Sequence, residues 1–181
     1  MTDGGARPGQ RRDASQPVRN AGSFRIRAAR AGEEGRVGAL LDESEAWHAA
    51  LQPGLFRGPL GAGRRLGFGA KNELTLVAEL AEAPGSNAGE LAGVLRLRVS
   101  DGPAQPWMTP ACRAHLEELF VRPAHRRRGC ARALVDEAAH WAKAAGATQL
   151  LLTVWEGNRA AEALYARLGY RRLGQLLGTD L

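Results

Sequence analysis

The chain has 181 residues, 44% of them hydrophobic, which is enough for one domain with a buried core. Its net charge of +6 allows weak attraction to polyanions, but no zinc finger or basic zipper predicts a specific nucleic-acid reader. No run of about 18 apolar residues predicts a membrane span.

The N-terminal region lacks the apolar central stretch of a secretory signal, which makes the cytoplasm the default compartment. Residues 1–22 are rich in Gly, Arg, Gln, Asp and Ser, and this composition predicts a disordered tail before one folded domain over residues 23–181. Cys112 and Cys130 are too few for a disulfide framework and stand in no Cys/His cluster. We therefore expect free thiols and no metal site.

The first part of the domain predicts one strand and one helix. Residues 24–28 alternate apolar and basic side chains, as a half-buried strand does. Residues 32–51 carry apolar side chains near one helical face, and Pro53 and Gly54 end that helix. Residues 55–71 are rich in Gly and Arg and predict a loop or a short second helix.

The middle of the chain predicts three strands. Residues 74–80 and 90–99 are separated by a stretch dense in turn residues, so they predict a hairpin. Three prolines make residues 101–110 a loop. Residues 115–121 predict a further strand, which Pro123 ends.

The last third predicts helices that alternate with strands. Residues 128–145 have apolar side chains at helical spacing, and residues 149–155 predict a buried strand. Residues 158–168 predict a short Ala-rich helix. Strands are predicted from Tyr170 onward and, as a last one, at residues 176–181. The fold class is therefore α/β, a single domain with a mixed sheet of about six to seven strands and about four helices.

Residues 116–134 carry the most informative motif. A strand ends near Pro123, the basic turn Arg126–Arg128 follows, and a helix begins. The first N–H groups of a helix have no partner within it and lie at the positive end of its dipole. Gly129 and Ala131 keep side-chain bulk away, so a phosphate can approach. Three arginines at a helix N-terminus are locally unfavourable, and a bound anion would relieve that conflict; a solvated helix start is the alternative.

The run Arg126-Arg-Arg-Gly-Cys-Ala131 is similar to the Arg/Gln-x-x-Gly-x-Gly/Ala signature of GNAT acetyltransferases, and it follows a strand as it does in that family. A second family motif follows at the expected distance, as Asn158 and then Leu164-Tyr-Ala-Arg-Leu-Gly-Tyr170. The resemblance extends from residue 24 to the C-terminus. It implies the GNAT fold and acetyl transfer from acetyl-CoA to an amine.

The resemblance also implies where acetyl-CoA, the co-substrate, binds. Its pantetheine arm would pair with main-chain groups of Leu119 and Val121, its pyrophosphate would lie against residues 126–132, and Asn158 would contact its arm. Cys130 occupies a packing position of the motif, so we expect an inert thiol. The implied cofactor-binding residues are Leu119, Phe120, Val121, Arg126, Arg127, Arg128, Gly129, Cys130, Ala131, Arg132 and Asn158.

The resemblance implies that Tyr165 protonates the departing thiolate of CoA, which leaves poorly without an acid; by position alone Tyr165 could equally be a core aromatic. Glu117 matches the amine-contacting residue of polyamine and thialysine acetyltransferases, and Glu118 matches the carboxylate of aminoglycoside acetyltransferases. Successive strand residues face opposite sides, so at most one of the two should face the cleft. His115 is a further candidate base, and a solvated strand edge is the alternative for both glutamates.

The acceptor amine is not fixed by these motifs. The acidic and aromatic side chains of residues 42–48, with Phe56 after them, would form a rim suited to a cationic amine, or only an exposed helix face. We expect a small-molecule amine that attacks directly in a ternary complex, and the family is compatible with a homodimer. The alternatives are a protein N-terminal or lysine acetyltransferase and a non-catalytic acyl-CoA-binding module. A cleft closed by residues 55–71 would favour a small amine, and an open groove would favour a peptide.

Overall fold

The computed structural model describes residues 17–59, 61, 68, 70, 72–81, 89–101 and 111–178. Within these ranges the chain forms one six-stranded sheet whose strands lie side by side in chain order. The strands are β1 (Pro17–Ala21), β2 (Phe24–Ala28), β3 (Glu73–Leu80), β4 (Leu91–Ser100), β5 (Arg113–Val121) and β6 (Gln149–Leu152). The helices are α1 (Glu34–Leu51), a short 3-10 helix (Pro123–His125), α2 (Cys130–Ala144) and α3 (Arg159–Arg167). Only β5 and β6 pair in parallel, so the predicted mixed α/β sheet is confirmed.

Helices cover both faces of this sheet. On one face, Val37 and Leu40 of α1 belong to a cluster of buried apolar side chains. On the other face, α2 and α3 contribute to a larger cluster that includes Leu134. Leu76 and Val77 are neighbours on β3 but belong to different clusters. This is the period-two alternation of a strand that is buried on both faces.

Strand β5 contains a bulge that changes which of its side chains face α1. Arg96 of β4 pairs with Glu118, but the next residue, Leu97, pairs with Leu116, so Glu117 is the extra residue of the bulge. Leu116 packs on the α2 face, whereas Phe120 packs on the α1 face although it lies four positions later. An uninterrupted strand would place both on one face. The bulge therefore turns Glu117 and Glu118 toward the same side.

The fold begins earlier in the chain than predicted. Residues 17–21, predicted to lie in the disordered tail, form β1. Gly22, with a φ of 58°, and Ser23 turn the chain back so that β1 pairs with β2. The polar composition of this segment does not prevent pairing, because the ladder uses backbone N–H and C=O groups. The predicted domain start at residue 23 is therefore too late, and residues 1–16 lie outside the described residues.

The strand predicted from Tyr170 onward is wrong. Residues 170–178 adopt neither helix nor strand, and Leu173, Leu176 and Leu177 are 60%, 82% and 80% exposed. Tyr170 packs against the core, but residues 171–178 are exposed, so packing does not hold them against the sheet. Because β1 replaces it, six strands still fall within the predicted range. Residues 179–181 of the predicted last strand lie outside the described residues.

The three predicted helices that the structure covers are confirmed as α1, α2 and α3. Strand β6 is shorter than predicted, since it ends at Leu152 instead of residue 155. Most of residues 55–71 and nearly all of the predicted loop at residues 101–110 lie outside the described residues. Among the helices that are described, none has the length and apolar character needed to cross a membrane.

Candidate active site

The main cavity lies where β5 and β6 separate. The two strands pair only over residues 113–116 and 149–152, and beyond that point β5 continues to Val121 while β6 has ended. The resulting gap opens into a cavity of about 440 Å³, lined by residues 116–119 of β5, residues 153–155 after β6, and side chains of α1 and α3. Both faces of the sheet therefore contribute side chains to one cavity.

The edge of β5 that faces this gap presents backbone groups without a strand beside them. Backbone groups alternate sides along a strand, and the N–H of Arg122 donates to the carbonyl of Ala92 on the β4 side. The groups of Phe120 therefore face β4, and those of Leu119 and Val121 face the gap. This places Leu119 and Val121 as the sequence predicts for residues that pair with an extended ligand arm. The carbonyl of Val121 already accepts a hydrogen bond from Arg126 Nε at 2.8 Å.

The turn after β5 has the backbone geometry of an anion cradle. Arg127 and Gly129 have positive φ angles of 62° and 84°, and α2 begins at Cys130 directly afterwards. Left-handed residues just before a helix aim successive N–H groups into one concave space. A Cβ built on Gly129 would meet no atom within 4 Å, so the space outside this turn is open. Cys130 is buried, and burial raises the pKa of its thiol to about 12, as expected for a packing position.

The three arginines of the basic turn are exposed, but two of them also contact other parts of the protein. The Arg126 guanidinium lies 6.0 Å from the Trp47 ring centroid and 5.7 Å from that of Phe120. The Arg128 guanidinium lies 5.4 Å from the Phe24 ring and donates to Ser23 Oγ at 3.2 Å. Both side chains turn back onto the protein, because aromatic faces and hydroxyl groups there satisfy the guanidinium. The anion cradle stays a prediction, in which backbone N–H groups and these exposed positive charges would act together.

Helix α3 brings its N-cap Asn158 and, from its last turn, Tyr165 to the cavity. Asn158 is the N-cap, and its Oδ1 accepts a hydrogen bond from the Ala161 N–H at 3.1 Å. Its amide nitrogen is the part that could contact a ligand. Tyr165 is buried. Its ring centroid lies 5.3 Å from that of Tyr170, in a T-shaped arrangement. Burial first, and then the nearby Tyr170 and Glu118, raise the pKa of Tyr165 well above its ordinary value.

Glu117 and Glu118 both line the cavity, so the prediction that at most one would face it is wrong. The bulge at Glu117 is the reason, since the period-two rule holds only for an uninterrupted strand. Their partners differ. Glu117 forms an ion pair with Arg98 at 2.9 Å and lies 4.0 Å from Arg96. Glu118 Oε1 accepts a hydrogen bond of 2.7 Å from the Ser44 hydroxyl.

The predicted acceptor rim is only partly assembled. Glu45, His48 and Phe56 line the cavity, whereas Glu43 forms an ion pair with Arg122 at 2.8 Å and Trp47 lies beneath Arg126. Asp42, Glu43 and Trp47 are absent from the lining formed by the described residues. His115 is absent from it as well, and burial and Arg98 lower its pKa. The helical period explains this split, because Glu45 and His48 lie one turn apart on the same face.

A bridge crosses the acceptor end of the cavity. Gln52 Nε2 donates to the Glu156 carbonyl at 2.9 Å, and the rings of Phe56 and Trp155 meet at 5.1 Å in a T-shaped contact. The segment after α1 is thereby joined to the segment after β6. Trp155 was not among the predicted site residues. Its position just after a buried strand, where parallel strands gather functional groups, is the signal that could have identified it.

Ser44 is the second residue that the sequence analysis missed. It is fully buried on the apolar face of α1, where it donates to Glu118. A polar residue at an apolar position of the helical period was the available signal. Such a residue is more often satisfied by its own helix, so the pattern alone could not show that its partner is on β5.

Comparison with known proteins agrees with this geometry. The model of the acetyltransferase (GNAT) family matches residues 44–170, which include the whole cavity lining named above. None of the curated proteins compared with the chain matches it.

The fold is similar to that of several solved structures. A tetramutant of the BH1408 protein from Bacillus halodurans is 19% identical, with a TM-score of 0.73 over 86% of this chain and 99% of that one. The aminoglycoside N-acetyltransferase AAC(6')-Iy in complex with CoA is 15% identical, with a TM-score of 0.60 over 86% and 98%. An aminoglycoside acetyltransferase from an uncultured soil metagenomic sample is 22% identical, with a TM-score of 0.61 over 88% and 97%. At these identities the similarity concerns the fold.

Proposed function

The chain belongs to the acetyltransferase (GNAT) family, and from that premise we propose that it transfers an acetyl group from acetyl-CoA to a primary amine of a small molecule. The observation that carries this proposal is that Glu118 and the buried residue Tyr165 line the same cavity. One group suits the removal of a proton and the other suits the delivery of one.

The residues around the gap fit acetyl-CoA, which supplies an acetyl group activated as a thioester. The backbone of Leu119 faces the gap as an added extended arm would require, and the turn at Gly129 offers N–H groups to a pyrophosphate. Asn158, at the start of α3, offers its amide nitrogen to the same arm. Binding would thus rest on main-chain groups, with Arg126, Arg127, Arg128 and Arg132 adding positive charge nearby.

Glu118 is the carboxylate that suits the acceptor amine. An amine attacks only after it loses its proton, so an ionised carboxylate in the cavity both attracts the ammonium group and accepts its proton, directly or through water. Glu117 is engaged by Arg98 at 2.9 Å, so its charge is already compensated. Glu118 accepts a hydrogen bond from the neutral hydroxyl of Ser44 rather than pairing with an arginine. This favours Glu118 as the base and gives Glu117 a supporting electrostatic role.

Tyr165 suits the role of general acid. Its hydroxyl lies at the cavity and is protonated throughout the neutral range, as a phenol ordinarily is, so a proton is available when the thiolate of CoA departs. The reaction needs no covalent enzyme intermediate. The cysteine of the motif, Cys130, is buried. Burial raises the pKa of its thiol, which makes it a poor nucleophile.

The acceptor end of the cavity suits a small amine better than a peptide. The bridge formed by Gln52 with Glu156 and by Phe56 with Trp155 crosses that end. A peptide needs an open groove along which its chain can continue, whereas a small molecule can be enclosed. The carboxylate of Glu45 and the aromatic side chains favour a cationic amine whose carbon skeleton packs against rings.

A panel of acceptors tests the proposal through the release of CoA, measured with a thiol-reactive dye. The panel contains simple alkylamines, aralkylamines, polyamines, aminoglycosides and lysine-containing peptides. We expect turnover with at least one small amine and little with peptides. Turnover with peptides alone would support a protein acetyltransferase instead. Tight CoA binding by calorimetry with no turnover on any acceptor would support a non-catalytic acyl-CoA-binding module.

A further inference from the structure

The hydroxyl of Ser44 joins the acceptor helix to the candidate base. Ser44 is 0% exposed and lies on the buried face of α1. It is the polar residue of that face, which is otherwise formed by Val37, Leu40 and Leu41. Its Oγ donates to Glu118 Oε1 at 2.7 Å across 74 positions of sequence. A buried hydroxyl needs a partner, and a carboxylate acceptor makes this one of the stronger hydrogen bonds of its kind.

This bond restricts how the carboxylate of Glu118 can be presented. A glutamate side chain has three rotatable bonds, so on a strand beside a cavity it could turn toward solvent or toward nearby arginines. With Oε1 held by Ser44, the carboxyl plane is fixed by both the strand and the helix. The other oxygen, Oε2, is then the one left for a ligand in the cavity that Glu118 lines.

His48 supports the same arrangement from the next turn of α1. Its Nδ1 lies 3.0 Å from the Ser44 carbonyl oxygen and 3.5 Å from the Ser44 Oγ, so the ring stands against the turn that carries Ser44. The ring is packed between Trp47, at a centroid distance of 5.1 Å, and Phe56, at 5.5 Å. The turn that carries Ser44 is therefore braced on its cavity side by a side chain whose orientation is itself fixed.

We propose that Ser44 is a positioning residue for the acetyl-transfer reaction, which holds the carboxylate of Glu118 so that Oε2 meets the acceptor amine. The proposal rests on the proposed function, because it assigns a consequence to the base named there. Ser44 does not touch the substrate in this arrangement and acts only through Glu118. Through this bond, a shift of α1 along the sheet would move the base as well as the acceptor rim.

A double-mutant cycle with the most active amine of the acceptor panel tests this role. Ser44→Ala should lower kcat about ten- to hundredfold, the range expected when a hydrogen bond to a charged group is lost. The Kd for CoA should be unchanged. Ser44→Cys keeps the size of the side chain but donates weakly, so it should lose activity almost as Ala does. In a Glu118→Gln background, Ser44→Ala should change kcat by less than about twofold, since coupled residues are not additive.

A measurement that does not depend on turnover separates this proposal from the proposed function. The carboxyl 13C resonance of Glu118, assigned by its absence in Glu118→Gln, should shift at neutral pH in Ser44→Ala and in Ser44→Cys. Thermal unfolding checks that both variants are folded. An unmoved resonance, or an equal loss of kcat from Ser44→Ala with and without Glu118, would overturn the positioning role. If the resonance shifts but no amine is acetylated, the proposed function is wrong, whereas the hydrogen bond between Ser44 and Glu118 is confirmed.

Discussion

The two sides of the cleft are built in different ways. The side proposed to hold CoA is a nearly continuous stretch from β5 through the basic turn into α2, and its geometry resides in the backbone, as in the left-handed Arg127 and Gly129. The acceptor side is assembled from side chains of α1, the segment after it, β5 and the segment after β6. A local motif can specify the first arrangement, whereas the second exists only once distant elements have packed.

The acceptor side also depends on a buried ion-pair network, and breaking it should give the largest effect. Arg27 on β2 donates to Glu33, just before α1, at 2.8 Å and to Glu79 on β3 at 2.8 Å. Arg27→Met would leave two carboxylates without their shared cation, which should cost about 3–5 kcal/mol of unfolding free energy. Arg25→Met, at an exposed position two residues earlier on the same face and opposite Glu79, should cost less than about 1 kcal/mol. Urea unfolding of both variants measures the difference.

This ion-pair network should make the free energy of unfolding depend on pH. Arg27 lowers the pKa of Glu33 from 4.5 to about 2 and lowers that of Glu79 as well. The stabilisation is therefore complete above the unfolded value of 4.5 and is lost as the pH falls toward 2. The cost of Arg27→Met should shrink over the same interval. Hydrogen exchange should then increase in α1 before α2 as the wild-type protein is acidified; a simultaneous increase would argue against separate anchoring of the acceptor side.

Tyr165 lies where the two sides meet, and its substitution should separate chemistry from binding. Tyr165→Phe keeps the ring that packs against Tyr170 but removes the proton donor. We expect kcat to fall about 100-fold or more, within the usual range for a lost general acid. The Kd for CoA and the KM for the amine should change little. Stopped-flow acetyl transfer and calorimetry measure these quantities, and unchanged turnover would assign Tyr165 to the core alone.

Gly129 tests the backbone character of the CoA side. Its φ of 84° is disfavoured for a β-branched residue, and a side chain there would enter the open space outside the turn. Gly129→Val should weaken CoA binding about tenfold, because its side chain would enter the space proposed for the pyrophosphate. The strained φ should separately cost about 1–3 kcal/mol of unfolding free energy. Gly146 is a matched control, because it has a φ of 89° and similar open space at the other end of α2. Gly146→Val should destabilise the fold comparably but leave the Kd for CoA unchanged.

The same contrast explains what could be predicted from the sequence. The helices and most strands follow from periodicity, which is a property of adjacent residues. Strand β1 does not, because its pairing uses backbone groups and its composition resembles that of a tail. The prediction of a strand from Tyr170 onward was wrong for a different reason. The leucines of this segment are apolar, but residues 171–178 are exposed in the structure, so burial does not hold them in a strand.

At the site, the sequence names the motif residues of the CoA side individually, and their role in binding CoA stays a prediction. The acceptor side was predicted only as a rim of uncertain members, and Ser44 and Trp155 were missed. The bulge at Glu117 explains why the sequence could not show which of Glu117 and Glu118 faces the cavity. It depends on how β5 registers against β4, and a one-residue shift in register changes the face of every later side chain.

Trp155 gives the smallest expected effect and tests the acceptor side alone. Its ring contacts Phe56 at 5.1 Å and closes one end of the cavity. Trp155→Ala should raise the KM for the small amine about fivefold, because packing that contributes equally to ground and transition states appears in KM and not in kcat. The Kd for CoA should stay unchanged, and lysine-containing peptides should become measurable acceptors because the bridge is opened. Trp155→Phe, which keeps an aromatic contact with Phe56, should retain most of the selectivity. A parallel loss of CoA affinity in Trp155→Ala would mean that the two sides of the cleft are not independent.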